Sequence, residues 1–159
     1  SARERANYIL AKSLLLNQNS GQAIEEFKRL TKAKNPEYAA EAQYVLAEIA
    51  FNSGKIEESE KMIHQINANP SSEYWLAKTF VLWADIFKSK GNTIQAKQTL
   101  QSIIDNYEGD EELIELAKQK LLSLTDEETK ALQETEDKRQ EHQEAVDEII
   151  IEDAEQQNQ

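Results

Sequence analysis

The chain has 159 residues, enough for one compact domain or a short repeat array with an appendage, and its 39% hydrophobic and 30% charged residues allow only a modest core. It contains no cysteine, which excludes disulfides, thiolate metal sites and cysteine nucleophiles. The net charge of −12 divides into +1 over residues 1–107 and −13 over residues 108–159, an overall acidity that argues against binding nucleic acid through its phosphates.

With four Gly, two Pro and abundant Ala, Glu, Lys, Leu and Gln, the composition points to helix rather than sheet. Apolar periodicity predicts helices over about 3–20, 21–34, 36–52, 55–68, 72–90 and 93–107, broken by "NQNSG", "NSGK" and "KGN". Asn35 can cap the third helix with Pro36 at its first position, and Asn92 with Gln95 can cap the sixth. Leu113, Leu116, Ala117, Leu121 and Leu124 then form one apolar stripe, predicting a capping helix over 110–124. Thr125 with Glu128 has the form of a capping box that starts a new helix. Residues 126–155 carry 13 acids and 3 bases, with Asp126/Lys130 and Glu134/Lys138 as favourable i,i+4 pairs. No apolar run approaches the ~18 residues a bilayer span needs. No signal peptide is visible in "SARERANYIL", whose lack of Met is expected of a processed product or an excised fragment.

The six helices repeat in register. Ala23, Ser59 and Ala96 share a position, and four residues on stand Phe27, Ile63 and Leu100, with Leu30, Ile66 and Ile103 three beyond. Twelve residues before the shared position are Ala11, Ala47 and Ala84, preceded by Leu10, Leu46 and Trp83. Paired helices approach closely only where small side chains face one another, which gives these residues their purpose. A single hairpin cannot bury its apolar face alone, so stacked units must share a core.

On Leu10/Ala11, Ala23 and Phe27, Leu46/Ala47, Gly54 and Ser59, and Trp83/Ala84, Phe87, Gly91 and Ala96, the chain resembles the tetratricopeptide repeat family. The units fall at about 4–35, 36–71 and 72–107 and, with the capping helix, make an array over 1–124 followed by an acidic helical tail over 125–159. The spacings of 36 and 37 exceed the family's 34, Gln18 stands where a Gly is usual with the first turn displaced toward Gly21, and Ser59 replaces an Ala. The resemblance implies an all-α, right-handed superhelical stack of three hairpins whose first helices line a concave groove. It implies a non-enzymatic scaffold of bacterial type, in the periplasm, cell envelope or cytoplasm, binding a peptide or helix of a partner protein.

Counted from the first-helix alanines, the groove positions are Tyr8, Tyr44 and Val81 three before and Lys12, Glu48 and Asp85 one after. Leu15/Leu16, Phe51/Asn52 and Lys88/Ser89 follow four and five after, and Arg5 and Lys78 add positive charge. This mixed surface suits an apolar or amphipathic segment, whereas the tyrosines and Phe51 can equally pack between hairpins. Some family members clamp a carboxyl terminus with Lys and Asn at fixed groove offsets; here Tyr8, Lys12, Tyr44 and Glu48 stand at those offsets, so that activity is not expected. His64 reads as a partly covered structural residue and His142 as solvated, with no metal spacing around either, so no cofactor is expected. Glu25/Glu26 and Glu57/Glu58 read as solvated faces paired with Arg29 and Lys61, and no nucleophile elbow or phosphate loop occurs. In "VDEIIIEDAE", residues 146–155, Ile149, Ile150 and Ile151 are a candidate anchor. They support an alternative in which the acidic helix fills the chain's own groove or a neighbour's, making the segment structural or oligomerising.

Overall fold

Asn35 and Pro36 begin the third helix as their chemistry demands. The Asn35 side chain accepts from the backbone N–H of Glu37 at 3.0 Å and of Tyr38 at 3.3 Å, and Pro36 occupies the first turn, where no N–H is required. The computed structural model describes the backbone of residues 1–157 and the side chains of residues 1–152. Every regular element among them is α-helical: α1 (Ala2–Leu16), α2 (Ser20–Leu30), α3 (Pro36–Asn52), α4 (Ile56–Ala68), α5 (Glu73–Ser89), α6 (Thr93–Asn106) and α7 (Glu111–Gln157). The chain divides into two units, Ser1–Leu121 and Leu122–Gln159.

In the first unit, α1/α2, α3/α4 and α5/α6 form three helical hairpins, closed by the same turn each time. The N–H groups of Asn19, Lys55 and Asn92 donate to the carbonyls of Leu14, Ala50 and Phe87 at 2.9, 2.9 and 2.8 Å. One residue earlier, Gln18, Gly54 and Gly91 donate to Leu15, Phe51 and Lys88 at 3.1, 2.9 and 2.9 Å. These paired bonds are the Schellman termination, which places one residue in the left-handed region. That residue is Gly54 at φ 77° and Gly91 at φ 76°, but Gln18 at φ 58° in the first hairpin. The first turn is therefore not displaced toward Gly21, which lies inside α2; α1 ends at Leu16 and a glutamine carries the strained conformation.

The turns also correct other local expectations. Asn92 precedes α6 without a side-chain cap bond. Glu25 pairs with Lys28 at 2.9 Å and Glu26 with Arg29 at 2.5 Å, each one residue closer than the expected Glu25/Arg29 pair. Ser1 and Glu4 form a capping box on α1, and Ser72 caps α5 by accepting from Trp75 N–H at 3.4 Å.

The core sits between the hairpins' helices. Ala11, Ala47, Ala84, Ala23 and Ala96 are buried, with Phe27, Ile63 and Leu100 beside them. Ser59 is buried in the same register, and its hydroxyl donates to the Ala47 carbonyl of the facing helix at 2.7 Å. A hydroxyl fits the alanine position because the opposing backbone supplies its acceptor. Each hairpin also packs on the next: α2 lies against α3, α4 against α5 and α3 against α5. Leu113 and Ala117, from the first turns of α7, are buried, and Asp110 opens that helix by accepting from Leu113 N–H at 2.8 Å.

In the second unit, Thr125 starts no new helix. It lies inside α7, and its carbonyl accepts from the Thr129 hydroxyl at 3.0 Å. Leu122, Leu132, Ile149, Ile150 and Ile151 are exposed, and Arg139 pairs with Glu136 at 3.7 Å. Of the motif at 146–155, the side chains of residues 153–155 lie outside the described residues. Among the described residues, no helix is long and apolar enough to cross a membrane.

Candidate functional site

Several of the positions named from the sequence engage side chains of the neighbouring first helix, because successive first helices lie close enough to bridge. At the first junction the Tyr8 hydroxyl donates to Glu41 Oε2 at 2.5 Å, and Lys12 Nζ donates to Glu41 Oε1 at 2.9 Å and to the Tyr8 oxygen at 2.9 Å. Glu41 is buried, so these donors supply the compensation its carboxylate needs away from water. The Tyr8 ring stacks on Tyr38, centroids 4.4 Å apart at 10°.

The second junction repeats the aromatic contact with different polar partners. Tyr44 meets Trp75 at 5.3 Å, and the Tyr44 hydroxyl donates to Glu48 Oε1 at 2.7 Å. Lys78 Nζ lies 5.4, 5.9 and 5.2 Å from the ring centroids of Tyr44, Tyr74 and Trp75, within cation–π range of all three. At the third, Asp85 has Val81 where the earlier units have tyrosine, and it accepts instead from Lys120 of α7 at 2.7 Å.

These contacts set the protonation behaviour. Burial, reinforced by the Glu48 carboxylate, pushes the Tyr44 phenol well above its ordinary range. Burial and then the Glu41 hydrogen bond push Tyr8 up, while hydrogen bonds to Tyr8 and Glu41 raise Lys12. All three groups keep their protons more firmly in the folded chain than free in water.

The residues thus separate into two rows. Tyr8, Lys12, Tyr44, Glu48, Lys78 and Asp85 are joined to neighbouring helices or to their own. Tyr44 is only 7% exposed and belongs to the core. Phe51 is half-buried against that core, whereas Asn52 and Lys88 are exposed at the C-terminal ends of α3 and α5. Ile149, Ile150 and Ile151 are exposed, in the second unit. His64, expected to be partly covered, is exposed with its ring edge-on to Trp83 at 5.0 Å.

Sequence reasoning missed Glu41, Tyr38 and Trp75. Glu41 stands six residues before Ala47, the offset of Arg5 and Lys78, and the same count would have found it. Tyr38 and Trp75 share the offset nine before the alanine, so the repeat register contained the aromatic contacts as well.

Elsewhere in the first unit, a cavity of about 360 Å³ between α5 and α6 is lined by Leu76, Phe80, Asn106 and Tyr107, with Glu73 and Glu108 also on its wall. No group of three His, Cys, Asp or Glu among the described residues is placed to hold a metal ion. Compared with known proteins, the chain matches no family model and no curated protein.

Proposed function

We propose that the chain is a non-enzymatic interaction scaffold, a right-handed superhelical array of tetratricopeptide type that takes up a partner's peptide or helix on the face of α1, α3 and α5. The observation that carries this reading is the repeated junction: equivalent offsets on three successive first helices meet side by side, Tyr8 with Tyr38 and Glu41, Tyr44 with Trp75 and Lys78. Such a row ties successive first helices side by side, so that together they offer one face long enough for an extended or amphipathic segment. Because the tyrosine row is engaged internally, partner contact belongs to the exposed helix ends beside it, where Asn52 stands next to the half-buried Phe51. Tyr44 and Glu41 act as supports that hold these ends in place.

A photo-crosslinking side chain at Asn52, with a control at exposed Gln98 on α6, tests the reading. A partner protein labelled from position 52 and not from 98 supports it. Equal labelling from both, or from neither, overturns it. The second reading, an oligomerising segment, is favoured by the exposure of Ile149, Ile150 and Ile151.

A further inference from the structure

The third hairpin departs from the repeat at residues that line one valley. Phe80 stands four before the register alanine, where the earlier hairpins have Asn7 and Gln43, and Phe87 three after it, where they have Leu14 and Ala50. Trp83 replaces Leu10 and Leu46. The three rings form a ladder along α5, Trp83 stacked on Phe87 at 5.5 Å and tilted against Phe80 at 5.9 Å. With Gln95, Gln98 and Ser102 of α6 they line a cavity of about 300 Å³. Phe80 and Ser102 also line the cavity of about 360 Å³, so the two follow one another along the hairpin as one valley. It lies inside the array rather than at either end. His64 of α4 lies against Trp83, and α7 reaches α5 through Asp85, about 200° round the helix from Trp83, so helices of the chain flank α5 on both sides.

One end of the valley is acidic. Glu73 opens α5 and Glu108 follows α6, and both lie on the cavity wall. In the second hairpin the same register positions hold Pro36 and Ser71. Both glutamates are exposed, and among the described residues neither carboxylate has an ion-pair partner. The floor between them is apolar, formed by Leu76 and Ile103, and Tyr107 stands on the wall. That ring is fixed in place. Its hydroxyl accepts from Asp110 N–H at 3.0 Å, and it lies so close over Gly109 that a Cβ there would collide with it. An apolar floor, an aromatic wall and carboxylates at the rim match a lysine or arginine side chain, whose stem is apolar and whose head is cationic.

We infer that the α5/α6 valley binds an extended peptide of a partner protein, a basic residue seated between Glu73 and Glu108 and apolar side chains laid over Phe80, Trp83 and Phe87. From Glu73 to Phe87 the helix rises about 21 Å, the length of about six extended residues. Alternate residues of such a segment face the valley, so the basic residue and the apolar ones stand two apart. Gln95, Gln98 and Ser102 edge the valley with amides and a hydroxyl that can pair with the peptide's backbone. Trp83 points away from Asp85 and the α1/α3/α5 face, so this site stands whether or not that face binds a partner.

Fluorescence anisotropy on the full chain tests the inference, with a labelled probe peptide of about seven residues that has lysine first, leucine at every second position after it and serine between. A reference probe has glutamate for the lysine, and both are measured at about 0.15 M salt, where distant exposed charges are screened. The expected result is that the lysine probe binds at least about tenfold more tightly than the reference, the scale of one charge-assisted contact. Glu73→Lys with Glu108→Lys removes that preference. Phe80→Gln, which restores the residue of the second hairpin, weakens both probes while far-UV circular dichroism stays unchanged. Asn52→Ala leaves both affinities as they were; a loss there would move the peptide to the α1/α3/α5 face and overturn the inference. Equal affinity for the two probes, or none for either, also overturns it. So does a lysine preference that survives the double substitution, which would place the probe on the acidic tail.

Discussion

Residues 1–121 and residues 122–152 are both helical, yet different forces make them so. In the first unit, Phe27, Ile63 and Leu100 are fully buried and alanines let neighbouring backbones approach. In the second, Leu124 is buried but Leu122, Leu132 and the three isoleucines face water, and polar side chains bond along their own helix, as Gln143 does to Asp147 at 2.8 Å. Tertiary packing is the main source of helix stability in proteins, and local pairs each add only ~0.2–0.5 kcal/mol. The contrast teaches that the first unit depends mainly on its buried residues and the second mainly on local pairs along its own helix.

The largest expected effect is on the core. Phe27→Ala should lower unfolding free energy by about 3–5 kcal/mol in urea titration, through lost burial and the cavity left behind. Leu132→Ala, at an exposed position, should stay within ~0.5 kcal/mol. A comparable loss from both would erase the distinction between the units. A proline at Ala131 sharpens it from the other side. It should remove helical signal in circular dichroism at a local cost of about 3 kcal/mol while leaving the first unit's cooperative melting temperature in place.

Alkaline pH should act on the first unit through three of its groups. Tyr44 and Tyr8 have folded pKa values raised above the ordinary value of 10.0, and Lys12 is raised above 10.5. The unfolded chain therefore releases these protons first. The stability they contribute is full below about pH 10 and is lost as pH climbs above it. Urea midpoints measured from neutral to strongly alkaline pH should fall above pH 10, and Tyr44→Phe should flatten that fall. A curve unchanged by the substitution would show that the phenol is not the responsible group.

Two smaller effects belong to single turns and registers. Ser59→Ala should cost about 0.5–1.5 kcal/mol, since it removes the bond to Ala47 O without leaving a cavity of any size. Gln18→Gly should stabilise the first hairpin by up to ~1 kcal/mol, because relief of the left-handed strain exceeds glycine's added unfolded-state entropy. Thermal unfolding resolves both signs.

Much of the first unit was legible because its signals are local and repeated. The alanine register, the "KGN" and "NSGK" turns and the Asn35–Pro36 start each depend on residues within a few positions of one another. The first turn was misread because Gln18 has no intrinsic preference for positive φ; only the surrounding Schellman bonds impose it. The positions on the first helices were named by counting, but counting could not give their engagement. Whether Tyr44 offers its ring to a partner or spends it against Trp75 depends on where α5 lies, and Trp75 is 31 residues away. Thr125 misled for a related reason: a capping sequence caps only where the helix actually begins, and α7 had already begun at Glu111.

By itself, the sequence determined that the chain is helical, that its first two-thirds repeats in register and that its charge is gathered in the last third. Periodicity, small residues and composition act over one or two turns, so no distant contact is needed to read them. The tertiary structure alone decided that Glu41 is buried between Tyr8 and Lys12, that Lys78 lies over three rings and that Asp85 takes its partner from α7. Those outcomes depend on which helix lies beside which, and burial is a property of neighbours rather than of the residue.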